Sequence, residues 1–488
     1  MLLVPAQKAP VAESAVQEST VQESAVQESG QPAHGTADDF PVGQAVERVQ
    51  CLGDENQSYA LYLPSGYTPE KQWPLLFALD PRSRGMIPLN LFKEAAERHQ
   101  FIIMSSNNFM SDTNELESTQ EVMIALWNDA IQRFPLDPRR IYVTGFSGGS
   151  RIAWVFDHVT KVPFAGIIGV GAGFPWNGSL TEDYENAYMA FFGLVGDTDF
   201  NYYDMNGMRP VLEEKGIPHR VVSFPGGHSW APAEYCSMAM DWMAVRDIKA
   251  GRRDKDTALV DGIYQQMLRR AEKLQGEGRL IAARRELESL VSDFEGLLDT
   301  AAAAQHLEQL RTSKELTKQE KRRRKEAERV LSVQSRALGL MEWVKTARQE
   351  EIPAVTHLRF EMRLPPLLKQ SRSNHREERL AAQRALENIF VQCAFYAPRQ
   401  MSQRGDHRRA LIFLDLAHEI KPGNPFVWYR KAVNEAQLGS EGGALKALEK
   451  AVENGFNRKD ILQTSPQWKD LRDKERFQKL LASMADLE

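Results

Sequence analysis

The chain has 488 residues, of which 42% are hydrophobic and 26% charged, and its formal net charge is −5. That length exceeds what one hydrophobic core organises, and about two to four domains are expected. The composition is that of a soluble globular protein, and the slightly acidic balance gives no electrostatic basis for nucleic acid or an anionic membrane as partner. Cys51, Cys236 and Cys393 are too few and too far apart for a disulfide framework or a metal centre. Each is read as a small core residue. No run reaches the roughly 18 apolar residues of a membrane span. The opening "MLLVPAQKAPVAES" is not a complete secretory signal, so the expectation is a soluble protein, cytoplasmic, or exported if the true start lies upstream.

Residues 1–39 repeat a five-residue unit in "AVQESTVQESAVQESG" without aromatics. Such a segment cannot bury enough apolar surface to offset its ordering entropy, and a disordered tether is expected. From 40 to 250, short apolar runs alternate with amphipathic stretches. The expected strands are "AVERVQ", "YALYLP", "PLLFALD", "FIIMSS", "RIYVTG", "AGIIGVGAG", "AFFGLVG" and "RVVSFPG". Helical patterns such as "LNLFKEAAERHQ", "STQEVMIALWNDAIQRF", "SRIAWVFDHVT" and "DMNGMRPVLEEKG" lie between most of them. This alternation predicts an α/β unit with a mostly parallel sheet covered on both faces. The first two strands have no helix between them and predict an antiparallel edge.

Beyond residue 250 the chain reads as all-α. Residues 251–385 hold a degenerate repeat around Gly278, Ala283, Leu287 and Leu290, then one long charged helix in "LRTSKELTKQEKRRRKEAERVLSVQSRALGLMEWV". Its basic run from Lys321 to Lys325 is read as a solvated face with neighbouring Glu partners, not as a nucleic-acid site. From 386 to 488 a 34-residue period pairs Gly405 with Gly439, Ala410 with Ala444, Leu414 with Leu448 and Ala417 with Ala451. This pattern resembles the tetratricopeptide repeat, in which small residues allow close helix packing. Pro398 departs from it inside the first helix and predicts a kink there. The resemblance implies a protein partner, or a brace over the active site.

"GFSGG", Gly145 to Gly149, fits G-x-S-x-G between a strand and a helix, the setting of a nucleophile elbow. The glycines permit a turn tight enough to lift the Ser147 hydroxyl above the sheet edge. The Gly148 N–H, at a helix start, would face a developing oxyanion. A serine nucleophile needs a base, and the base needs an orienting acid. Asp197 and Asp199 follow one later strand in "GDTDF", and His228 follows the last strand in "PGGHSW". Loops beyond strand C-termini are where such a sheet carries its active site. His99 and the other remaining histidines have no partner recognisable from sequence and are read as surface or incidental.

Together, "PLLFALD", "DPRRIYVTGFSGGSRIAW", "GDTDF" and "PGGHSW" resemble an α/β-hydrolase esterase of the poly(hydroxyalkanoate) depolymerase and feruloyl esterase type, over roughly residues 45 to 250. The resemblance implies a Ser147–His228–Asp199 triad, with Asp197 a turn residue bonding local backbone. It implies carboxylic ester cleavage through an acyl-enzyme, on a small or polymeric ester, with no cofactor and no metal. A peptidase or amidase would use the same triad, and a non-catalytic repeat scaffold is the alternative from another class. Where this family carries a His-Gly pair, the chain has Asp80 and Pro81 in "LDPRSRG". Pro81 has no N–H, so the second oxyanion donor falls to Arg82. Asp80 is expected to pair with Arg82 or Arg84. Phe146, Phe174, Trp176 and Trp230 are the expected substrate contacts, with Tyr202 and Tyr203 as further candidates.

Overall fold

Strands β1 (Ala45–Gln50), β2 (Ser58–Tyr62), β3 (Trp73–Leu79), β4 (Ile102–Ser106), β5 (Leu136–Phe146), β6 (Gly166–Val170), β7 (Ala190–Gly196) and β8 (His219–Phe224) form one sheet. The computed structural model describes residues 40–111, 116–175 and 189–484; the expected tether lies outside the described residues. Strand order is β1-β2-β4-β3-β5-β6-β7-β8. β1 pairs with β2, and β2 with β4, antiparallel; every other pairing is parallel. The order and the antiparallel edge are those of the α/β-hydrolase fold.

The central strands β3, β6 and β7 are buried at every residue, as strands covered on both faces must be. Side chains alternate between two cores. Leu75, Phe77 and Leu79 enter one, with the helices Leu116–Arg133, Gly148–Ala153 and Tyr202–Glu214; Leu76 enters the other, with Met86–His99 and Ala233–Lys249. "SRIAWVFDHVT" forms two short helices, Gly148–Ala153 and Phe156–Thr160, where one was expected. His99 is not incidental. It is 2% exposed, and its Nε2 lies 2.7 Å from the Asp241 carboxylate, tying two helices of one face together. The three cysteines are free and buried, and burial pushes the Cys51 thiol up to about 12.

The region beyond residue 250 is helical. Thr257–Gly276 and Leu280–Phe294 pair through a turn at Gly278, whose φ is 70°. The long helix spans Lys314–Thr346. The Ser313 hydroxyl accepts the Leu316 N–H and caps it, so Leu310 and Arg311 end the preceding helix instead of opening this one. In the 34-residue period, Gly405 (φ 76°) and Gly439 (φ 73°) occupy equivalent left-handed turns. Ala410, Leu414, Ala417, Ala444, Leu448 and Ala451 are all fully buried. Near Pro398 the helix Arg376–Val391 widens into a π turn at Gln392–Tyr396 and resumes as Ala397–Gln403. Pro398 cannot donate to the carbonyl four residues back, which accounts for the local widening.

Candidate active site

Ser147 follows β5 at the N-cap position of Gly148–Ala153 with φ 53° and ψ −114°, a strained conformation for a residue with a side chain. The turn around it requires glycine at positions 145 and 149. A Cβ on Gly145 would stand 2.3 Å from the Gly149 carbonyl carbon, and one on Gly149 would stand 2.3 Å from the Leu79 carbonyl oxygen. The Ser147 N–H donates to Val170 O at 2.8 Å, hanging the turn on β6.

His228, beyond β8, places Nε2 2.9 Å from Ser147 Oγ and Nδ1 3.0 Å from both carboxylate oxygens of Asp199. Asp199, beyond β7, has no solvent exposure and also accepts the Asn201 N–H at 2.8 Å. The Asn201 side-chain amide donates in turn to Gly171 O at 2.7 Å. Phe146 and Phe200 flank the imidazole with ring centroids 4.7 and 4.3 Å away. Serine, imidazole and carboxylate thus stand in one hydrogen-bonded line at the C-terminal edge of the sheet. Such a line can move the serine proton onto the imidazole while the carboxylate fixes the tautomer.

Asp197 has a different role from the one expected. Its carboxylate is held not by local backbone but by Arg376 at 2.9 Å, while Arg384 Nε donates to its carbonyl at 2.7 Å. Both arginines come from the helical region.

In the loop after β3, Asp80 is fully buried. Arg84 grips it with two bonds at 2.9 and 3.0 Å, and the Trp230 indole N–H donates to it at 2.8 Å. The Arg82 N–H, expected as an oxyanion donor, donates to Asp80 Oδ1 at 3.0 Å. Gly148 follows Ser147 as the first residue of a helix, where the N–H has no intrahelical acceptor.

The cleft over Ser147 is lined by Pro81, Arg82, Phe109, Phe146, Gly148, Arg151, Phe200 and Asn201 among others. Of the expected substrate contacts, only Phe146 lies on it among the described residues. Phe174 is core, its ring 5.0 Å from that of Trp154, and Trp230 stands behind the site bonded to Asp80. Tyr202 and Tyr203 face the helical region, where Arg384 stacks on them. Trp176 lies outside the described residues. The opposite wall comes from Val391, Phe395, Tyr396, Arg399, Gln400 and Gln403, on and around the π turn. Sequence reasoning missed these, and Phe200 and Asn201 as well. The nearest signal was Pro398, which marks the widened helix.

Among the described residues no cluster of His, Cys, Asp and Glu could hold a metal, and no helix is long and apolar enough to cross a membrane.

No protein-family model and no curated protein matches the chain. Several solved structures are similar to part of it. S-formylglutathione hydrolase (FrmB) from Staphylococcus aureus is 17% identical, covering 38% of this chain and 90% of its own, with a TM-score of 0.32. FphF, a fluorophosphonate-binding serine hydrolase of Staphylococcus aureus, is 17% identical over 41% of this chain and 97% of its own, at 0.33. Thermogutta terrifontis esterase 2 is 10% identical over 44% and 96%, at 0.35. At these scores they add nothing to what the strand order and the site geometry carry.

Proposed function

We propose that the protein is a serine hydrolase of carboxylic esters, with residues 40–250 as its catalytic domain. The observation that carries this reading is the unbroken line Ser147 Oγ, His228 Nε2, His228 Nδ1 and Asp199 on a strained elbow. His228 takes the Ser147 proton as Oγ bonds to the ester carbonyl carbon. The Gly148 N–H stabilises the oxyanion, with Arg82 as a second donor once its N–H turns from Asp80. Collapse breaks the bond to the alcohol, which leaves with the proton from His228. Water, deprotonated by His228, then releases the acid and restores Ser147. The aromatic cleft walls formed by Phe109, Phe146, Phe200 and Phe395 favour an ester with an apolar or aryl acyl group. The tetratricopeptide-like helices act here as a brace that closes one side of that cleft.

The test is labelling with a fluorophosphonate probe, alongside turnover of p-nitrophenyl esters. Wild type should be labelled and active, and Ser147→Ala should lose both while keeping its melting temperature. An unlabelled wild type, or an active Ser147→Ala protein, would falsify the assignment.

A further inference from the structure

A second cavity, of about 70 Å³, lies in the seam between the edge of the sheet and the helical region. Eight arginines line it against three carboxylates, Asp197, Glu286 and Glu377; Glu277, just outside the lining, pairs with Arg279 at 3.6 Å, which leaves an excess of four positive charges. Glu286 pairs with Arg220 at 2.8 Å and Arg270 at 3.4 Å, and Asp197 pairs with Arg376 at 2.9 Å. The hydrogen bonds of the next four arginines go to neutral acceptors. Arg209 donates to Val221 O, Arg285 to Asn206 Oδ1 at 3.0 Å, Arg323 to the Tyr202 hydroxyl at 3.3 Å, and Arg384 to Asp197 O at 2.7 Å. The Nε of Arg209 is buried without a hydrogen-bond partner. Arg384 is 4% exposed and Arg220 is 3%.

Arginine does not shed its proton in proteins, so burial leaves these charges in place. Burial, reinforced by repulsion from Arg285 and Arg323, pushes Arg209 down to about 9, still charged at neutral pH. Burial opposes ionisation of the Tyr202 phenol, yet Arg384, Arg323 and Arg285 outweigh it and draw its pKa below the ordinary value. One phenolate would offset only one of four charges. Buried cations in such surplus call for a further anion.

We propose that the seam binds a tetrahedral oxyanion of the phosphate class. Guanidinium forks match phosphate oxygens two at a time. The volume holds on the order of five water-sized atoms, room enough for one phosphate. Its arginines come from β8, from Tyr202–Glu214 and from four helices of the helical region. The anion would therefore clamp that region onto the sheet. Through Arg384 it would also steady Asp197, two residues before Asp199.

The experiment uses the full-length protein at pH 7.5 with inorganic phosphate, glycerol phosphate or chloride at equal ionic strength, read by melting temperature and calorimetry. Phosphate should raise the melting temperature saturably by several degrees. A larger effect of inorganic phosphate than of glycerol phosphate supports a free anion, and an equal or larger effect of glycerol phosphate supports a phosphomonoester. Arg285→Gln and Arg323→Gln should each weaken phosphate binding at least tenfold, whereas Arg311→Gln, at an exposed pair with Glu288, should not. A chloride effect equal to that of phosphate overturns the proposal, as does unchanged phosphate affinity in either folded cavity variant. If neither variant folds, the absence of saturable phosphate heat with wild type overturns it.

Discussion

The carboxylate of Asp80 accepts the backbone N–H of Arg82 at 3.0 Å while Arg84 and Trp230 hold its two oxygens. The loop beside the serine is thus shaped around a buried charge. Asp80→Ala would leave the Arg84 guanidinium and the Trp230 indole without their acceptor. Arg84 can turn to water, so the cost is about 3 kcal/mol, the low end for breaking a buried pair. The melting temperature should fall by about 6 °C or more. Ester turnover should fall about 100-fold, because the loop that Asp80 ties to Arg82, Arg84 and Trp230 beside Ser147 loses its shape. Asp80→Asn keeps one of the two acceptor oxygens and sets an amide NH2 against the donors on the other, so its loss of turnover should lie between wild type and Asp80→Ala. Equal turnover in the two variants would remove Asp80 from the support of the site.

Asp199 and Asp197 lie two residues apart and should separate cleanly by kinetics. Asp199→Asn turns the acceptor of His228 Nδ1–H into a group that can favour the wrong tautomer, and kcat should drop about 10⁴-fold with little change in melting temperature. Asp197→Asn breaks the ion pair with Arg376 but leaves the turn held by Arg384 at its carbonyl. It should lower the melting temperature and keep kcat within a fewfold of wild type. A large kcat loss confined to Asp197→Asn would reverse the two roles.

The eight strands were legible because their apolar runs repeat at the right spacing with glycine and proline between them. The hydrogen-bonded line of Ser147, His228 and Asp199 was legible because G-x-S-x-G, G-D-T-D and G-G-H each follow a strand. The far wall of the cleft was not. Phe395 stands more than 240 residues beyond Ser147 in the chain, and no local pattern says that a kinked helix returns to the sheet edge. Arg323 was read within a solvated basic run, because helical spacing alone cannot reveal that Tyr202 sits against that one position. Trp230 looked like a substrate contact because it follows the histidine, yet its indole N–H is taken up by the buried carboxylate of Asp80.

Gly171 links the backbone to the imidazole. Its φ is 68°, and a Cβ there would meet the Phe146 ring at 2.8 Å and His228 Cε1 at 3.3 Å. Gly171→Ala strains the backbone by about 1 kcal/mol and pushes both rings. The expected result is a fall of about tenfold or more in kcat for all esters, with a melting temperature lowered by only about 2–4 °C. A fully active variant would mean that the rings give way without disturbing the proton path.

His99 makes stability depend on pH. Burial holds its pKa below the ordinary value against the opposing pull of Asp241. The unfolded chain then binds the proton more readily than the folded one, so stability is full above about 6.5 and is lost as pH falls below it. Melting temperatures between pH 8 and pH 5 should fall more steeply for wild type than for His99→Gln. Parallel curves would mean that His99 takes its proton without cost to the fold.

The wall from the helical region should act on substrate choice. Phe395 lines the cleft and is held from behind by Arg430, whose guanidinium lies 4.6 Å from its ring centroid. A short acetyl ester has no atoms to reach that wall, whereas a bulky aryl ester does. Truncation to Phe395→Ala removes an aromatic contact worth about 1 kcal/mol. KM for the bulky ester should then rise about fivefold while kcat, and both constants for p-nitrophenyl acetate, stay near wild type. A matching KM increase for the acetate would locate the effect in the serine site itself and deny the helical wall a part in recognition.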